Sequence, residues 1–145
     1  TDWNVLISHS AADLDMPDPT VTYYSEFDHL QYGDIKHLLV GETVMRGAEI
    51  GVVRHPGGNT QFRPEVHWEV YEVATARRND LTWKVDENGT EYWWNESADL
   101  IDPLYPMSRN QTEPVDGKVH IVPFGSDIDL HDYRGFTYPI LCRER

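Results

Sequence analysis

Glu65 and His67 stand two residues apart in the run Pro64-Glu65-Val66-His67-Trp68-Glu69-Val70. Residues i and i+2 of a strand project from the same face, so this pair points together while Val66 and Trp68 turn toward a core. An imidazole beside a carboxylate offers a zinc ligand next to an acid/base group. Spacing alone favours the plainer reading of a solvent-facing strand with polar residues at alternate positions. His29, in Tyr23-Tyr24-Ser25-Glu26-Phe27-Asp28-His29-Leu30, is a further group of ligand type. Its neighbour Asp28 faces the other way on a regular strand, and taken alone His29 reads as a surface or half-buried histidine. His9 and Asp13 are spaced to chelate one ion from a helix or a tight loop. The cluster Asp127-Ile128-Asp129-Leu130-His131-Asp132 has carboxylates for a cation, but lacks the Gly and terminal Glu of a calcium loop and reads as a solvated acidic turn.

Other chemistries find no support. The chain has no Gly-rich phosphate loop followed by Lys, no H-E-x-x-H helix and no G-x-S-x-G elbow. The lone Cys142 lies in a cationic tail without a nearby base, and it has no second Cys to pair with. The sequons at Asn88, Asn95 and Asn110 carry weight only in a eukaryotic secretory setting.

These groups must be positioned by strands. Residues 4–9 form a β-rich run, ended by a polar, Pro-containing stretch over 10–19. A second run, Thr20-Val21-Thr22-Tyr23-Tyr24, is β-branched and aromatic. Gly41, Gly47 and Gly51 punctuate residues 41–53, which predicts short strands joined by tight turns. Pro56-Gly57-Gly58-Asn59 is a loop by composition, and residues 66–73 alternate as a half-buried strand. Asn88-Gly89 signals a hairpin between strands at 81–85 and 91–94. A short helix is expected over 97–100, before Asp102-Pro103, with strands at 119–122 and 136–141. Trp83, Tyr92, Trp93 and Trp94 suit a core more often than a carbohydrate-stacking platform.

The whole chain has 145 residues, which fits one domain. Its 25 Asp and Glu against 12 Lys and Arg give a formal charge of -13. That balance argues against a phosphate-tracking nucleic-acid binder and against docking on an anionic membrane leaflet. No apolar run approaches the roughly 18 residues of a membrane span. The start at Thr1, without Met, reads as that of a processed or trimmed product. The expectation is a mostly β single domain: a β core over residues 1–76 and a loop-rich C-terminal extension over 77–145 that packs on it.

In order, the first half resembles the lysostaphin-type (LytM-like) zinc metallopeptidases, which cut peptidoglycan cross-bridges. The pieces are Val5-Leu6-Ile7-Ser8-His9, then Thr22-Tyr23-Tyr24 leading to His29-Leu30. Val44-Met45-Arg46-Gly47-Ala48-Glu49-Ile50-Gly51, the loop Pro56-Gly57-Gly58-Asn59-Thr60 and Pro64-Glu65-Val66-His67-Trp68-Glu69-Val70 follow. They look like the family's Y-x-H-L segment, V-x-x-G-x-x-I-G turn, T-G loop and closing P-H-L-H-F-E strand, over about residues 4–73. Asp102-Pro103-Leu104 is similar to the D-P that often follows that domain.

The resemblance implies an antiparallel sheet of the duplicated-hybrid-motif kind, a zinc cofactor and a peptide or cell-wall substrate met outside the cell or in the periplasm. It makes His67 a zinc ligand and His29 a group that positions water or stabilises the tetrahedral intermediate. Glu65 stands where the family has its catalytic His, and a carboxylate there acts as base, binds the metal or is inert. The family's other two ligands come from an H-x-x-x-D motif preceding the Val5 segment. Either that motif lies on a preceding portion or on a second chain that completes the fold, or His9 and Asp13 take its place. The competing expectation is a non-catalytic relative that binds glycan, peptide or protein.

Overall fold

The β-branched and aromatic run that opens at Val21 continues as β2 (Val21–Leu30), the longest of the described strands. The computed structural model describes residues 3–55, 64–89, 91–108, 123–124 and 138–141. β1 (Trp3–Ser10), β2, β3 (Trp68–Ala74) and β6 (Asp99–Ile101) form a four-stranded antiparallel sheet in the order β1-β2-β3-β6. β4 (Thr82–Val85) and β5 (Glu91–Trp94) make a hairpin, and β7 (Pro123–Phe124) pairs in parallel with β8 (Tyr138–Leu141). The molecule is thus mostly β, and the helical pieces among the described residues are short, including α1 (Tyr32–Ile35) and α2 (Leu104–Ser108).

Each face of the sheet is covered by a different segment. Residues paired across strands share a face, so Tyr23, Ser25 and Phe27 lie with Trp68 and Val70, whereas Tyr24 and Glu26 lie with Tyr71 and Glu69. The first face packs under the 3-10 turn Ala11–Leu14, where Ala11, Leu14, Met16, Tyr23 and Val70 form the core cluster, flanked by Val21, Trp68 and Ile101. That turn starts at Ser10, whose hydroxyl accepts from the Asp13 N–H at 3.2 Å while the Asp13 carboxylate takes the Ser10 N–H at 2.8 Å. This reciprocal cap satisfies two donors that the chain end of a helix otherwise leaves open. The second face is closed by the β4–β5 hairpin, which lays Trp93 against Tyr24 and Tyr71 at ring separations of 5.8 and 5.3 Å.

The hairpin forms where Asn88-Gly89 marked it, with Val85 facing Glu91 and Gly89 at φ 81°. Its aromatic residues divide: Trp93 is buried, whereas Trp83 and Trp94 are exposed at 72 % and 38 %. Trp83 pairs with Trp93 and Trp94 with Thr82, so Trp83 and Trp94 project from opposite faces of the ribbon and form no common platform. Asn95 follows, almost wholly buried, donating to the Arg77 carbonyl at 2.9 Å and accepting from the Ser97 N–H at 2.9 Å. The Asn95 sequon therefore sits in a buried turn held by its own side chain.

Two expected elements differ. Residues 97–100, expected helical, leave a turn and enter β6, because Leu100 and Asp99 complete the open edge of β3 opposite Tyr71 and Glu72. Residues 41–53, expected as short strands, are irregular, with turns at 41 and 46–47; within this stretch only Val53 bridges, to Leu30. Glycine spacing marks tight turns but cannot supply the neighbouring edge a strand needs. The strand expected over 119–122 lies outside the described residues.

Candidate metal centre

An extra residue in β2 sets up the site. Trp3 faces Leu30 and Val5 faces Phe27, so two steps along β1 match three along β2. This is a β-bulge, which bends a strand and re-aims a side chain. His29 takes up the irregularity with a left-handed backbone at φ 64°. By strict alternation His29 would follow Phe27 onto the Val70 face. Instead its ring lies 4.7 Å from that of His67, edge-on at 68°.

The bulge is held on both sides. The Asp28 N–H donates to the His67 carbonyl at 2.9 Å, extending the β2–β3 ladder past the last strand residue. On the other side the Arg54 N–H donates to the His29 carbonyl at 2.7 Å and the Gln31 N–H to the Val52 carbonyl at 3.0 Å. Gly51 permits that approach: a Cβ added there would meet Ile35 at 2.7 Å.

His67 and Glu65 lie in the extended stretch leading into β3, with side chains 58 % and 69 % exposed and Nε2 and Oε1 4.0 Å apart. The i and i+2 reasoning therefore holds for their direction, although the strand proper begins at Trp68. One ligand-type atom from each of His29, Glu65 and His67 lies within 4.8 Å of the others. A zinc ion with ligands at about 2.0–2.1 Å in tetrahedral array needs donors about 3.3 Å apart. Side-chain rotations of about 1 Å by the two exposed residues close that gap. Two imidazoles and a carboxylate are a donor set zinc accepts, so the residues fit the ion.

Beneath this trio the sheet is acidic. Glu26 and Glu69 are directly paired across β2 and β3, and Asp28 follows Glu26 on the same strand. Burial, then the charges of Asp28 and Glu69, push the Glu26 carboxyl up to about 7, against the opposing pull of the Trp93 N–H and the Asn4 amide. Asn4 Nδ2 donates to Glu26 Oε1 at 2.8 Å. Asp28 is raised by burial and by Glu69, while His29 and His67 lower it. The Tyr71 hydroxyl donates to Glu69, and burial together with that bond raises its ionisation well above the phenol range. Sequence reading missed this acidic floor, since Glu26, Asp28 and Glu69 converge only through strand register.

His9 and Asp13 are not brought to the trio. His9 faces Tyr23 across β1 and β2, about 20 Å of strand from the His29 bulge. Its Nε2 is 2.9 Å from the Ser25 hydroxyl, and burial lowers its ionisation to about 4 despite the pull of Asp13. Asp13 spends its carboxylate on the Ser10 cap. Asp13, three residues after Ser10, completes the capping box that starts the 3-10 turn. The acidic cluster of residues 127–132 and Cys142 lie outside the described residues. No known family model, curated protein or solved structure matches the chain.

Proposed function

We propose that the chain is a zinc-binding domain of metallopeptidase-like kind, with His29, Glu65 and His67 as its ligands and a peptide bond as its substrate. The observation that carries this reading is the bulge at His29, which turns a histidine out of the strand alternation and onto the Glu65/His67 pair. Three protein ligands on an open surface suit a hydrolytic site, where a fourth position stays free, better than a closed structural one. A zinc ion held by His29, Glu65 and His67 would supply a Lewis acid for a carbonyl oxygen and would lower the pKa of a bound water to about 7.

The chain's own residues orient this site. The Asp28 and Arg54 amides fix the backbone on which His67 and His29 ride. The carboxylates of Asp28, Glu69 and Glu26 make the floor attractive to a dication. Glu65 is a ligand in this arrangement, which moves it from the base position that the lysostaphin-type resemblance gave it. His29 moves likewise from stabiliser to ligand. The substrate class follows from that resemblance, a peptidoglycan cross-bridge or another Gly-containing peptide, and with it an extracellular or periplasmic setting. A formal charge of -13 repels an anionic wall, so such a substrate is gripped locally at the trio.

A second reading is a non-catalytic binding module. It is favoured by the high exposure of Glu65 and His67 and by the position of two described hollows elsewhere, one beside Trp93 and Asn95 and one beside Thr20 and Glu72. Zinc titration with calorimetry, followed by incubation of the loaded protein with a pentaglycine cross-bridge peptide, separates the two. Stoichiometric zinc with peptide cleavage supports the enzyme, and stoichiometric zinc without cleavage supports the module. No zinc uptake at micromolar supply overturns the enzyme reading and leaves the binding module.

A further inference from the structure

Asp28 precedes His29 in the chain and stands directly across the sheet from His67. The β2–β3 register pairs Phe27 with Trp68, and the 2.9 Å bond from the Asp28 N–H to the His67 carbonyl carries that pairing one residue further. Residues opposite one another on antiparallel strands share a face, with Cβ atoms about 4.5–5.5 Å apart. At that spacing an Asp oxygen reaches the imidazole nitrogen nearer the backbone, Nδ1. The other ring nitrogen of His67, Nε2, is the one turned to Glu65, 4.0 Å from Oε1. The two nitrogens of His67 thus face different partners, Nε2 toward the ligand trio and Nδ1 back toward β2.

The surroundings of Asp28 suit this use. The atoms that converge within 4.8 Å are those of His29, Glu65 and His67, and Asp28 is not one of that group. Its carboxylate is held from the β1 side by the Asn4 side chain, which also donates to Glu26 at 2.8 Å. The neighbouring Glu69 is engaged by the Tyr71 hydroxyl. Burial and the Glu69 charge raise the Asp28 carboxyl, and the charges of His29 and then His67 oppose that rise. A histidine that binds a metal through one nitrogen characteristically donates its other N–H to a carboxylate, a carbonyl or water, which fixes the tautomer and the ring orientation.

We propose that Asp28 is a positioning residue of the metal centre: its carboxylate accepts the Nδ1–H of His67 and leaves Nε2 bare for the ion. This rests on the reading of His29, Glu65 and His67 as metal ligands.

The test reads the His67 tautomer in the metal-free protein by long-range nitrogen–proton correlation NMR at about pH 8, where an ordinary histidine is neutral. The His67 signals are those lost in His67→Ala. An imidazole free in water favours the Nε2–H form, so the expected Nδ1–H form of His67 is a distinct signature. Asp28→Ala is expected to return His67 to Nε2–H and to weaken zinc binding by about 10- to 100-fold, read by competition with a zinc-sensitive chelator. Asp99→Ala removes a carboxylate from the opposite face of the sheet, beside Glu72, and is expected to change neither. His67 in the Nε2–H form in the wild type overturns the proposal, as does an Asp28→Ala protein with tautomer and zinc affinity unchanged. Zinc uptake with a tautomer indifferent to Asp28 overturns the positioning role and keeps the metal centre. No zinc uptake, with an Nδ1–H form that Asp28→Ala abolishes, overturns the metal centre and supports the contact between Asp28 and His67. The wild-type tautomer decides the matter even where Asp28→Ala fails to fold.

Discussion

At the residue scale the protein sets three ligand-type side chains above three carboxylates. In the proposed centre each of His29, Glu65 and His67 supplies one of three bonds, so removing any one leaves too few protein ligands for a stable zinc site. His67→Ala is expected to weaken zinc binding by about 100-fold or more, and His9→Ala to leave it unchanged, as read by competition with a zinc-sensitive chelator. The acidic floor gives a separate prediction about stability. In the unfolded chain Glu26 loses its proton near its ordinary 4.5, whereas in the fold it keeps that proton up to about 7. The folded state thus binds more protons between those values, and stability falls as pH rises through them. Glu26→Gln keeps the shape without the charge. It is expected to be more stable than wild type by about 2 kcal/mol at pH 8, with the difference vanishing near pH 5, in urea unfolding at each pH.

At the element scale the bulge in β2 is the decisive device, and its backbone can be tested apart from its side chain. A left-handed conformation costs a non-glycine residue about 1 kcal/mol, and a β-branched one more. His29→Gly is therefore expected to hold the fold with an unchanged or higher midpoint in thermal unfolding while abolishing zinc uptake. His29→Val, in contrast, is expected to be less stable than His29→Gly by about 1–2 kcal/mol. Equal stabilities for the two variants would show that the left-handed turn is not maintained. How much of this was legible depends on the kind of signal. Asn88-Gly89 encodes its hairpin locally, through a turn that few other dipeptides allow, and the alternation around Val70 encodes a half-buried strand. The bulge has no such signature, because it arises from a mismatch in length between β1 and β2. Residues 97–100 depart from their local pattern for a related reason: the edge of β3 outweighs a short local preference for helix.

At the scale of the whole molecule, charge is the dominant property. A chain at -13 is strained by self-repulsion in its compact state, and salt relieves that strain. Raising NaCl from about 0.02 to about 0.5 M is expected to lift the thermal midpoint by about 3–5 °C in calorimetry. No change would mean that the acids are already neutralised by local partners.

The sequence by itself determined the mostly β class, the hairpin at Asn88-Gly89, the shared direction of Glu65 and His67, and the surplus of acid. All of these follow from composition or from periods of a few residues. Tertiary structure alone decided that His29 joins Glu65 and His67, that His9 and Asp13 are spent on the Ser25 contact and the Ser10 cap, and that Glu26, Asp28 and Glu69 converge. Those outcomes depend on which residue faces which across a strand pair. Register is fixed by burial and turn geometry over the whole sheet, so no local stretch of the chain contains it.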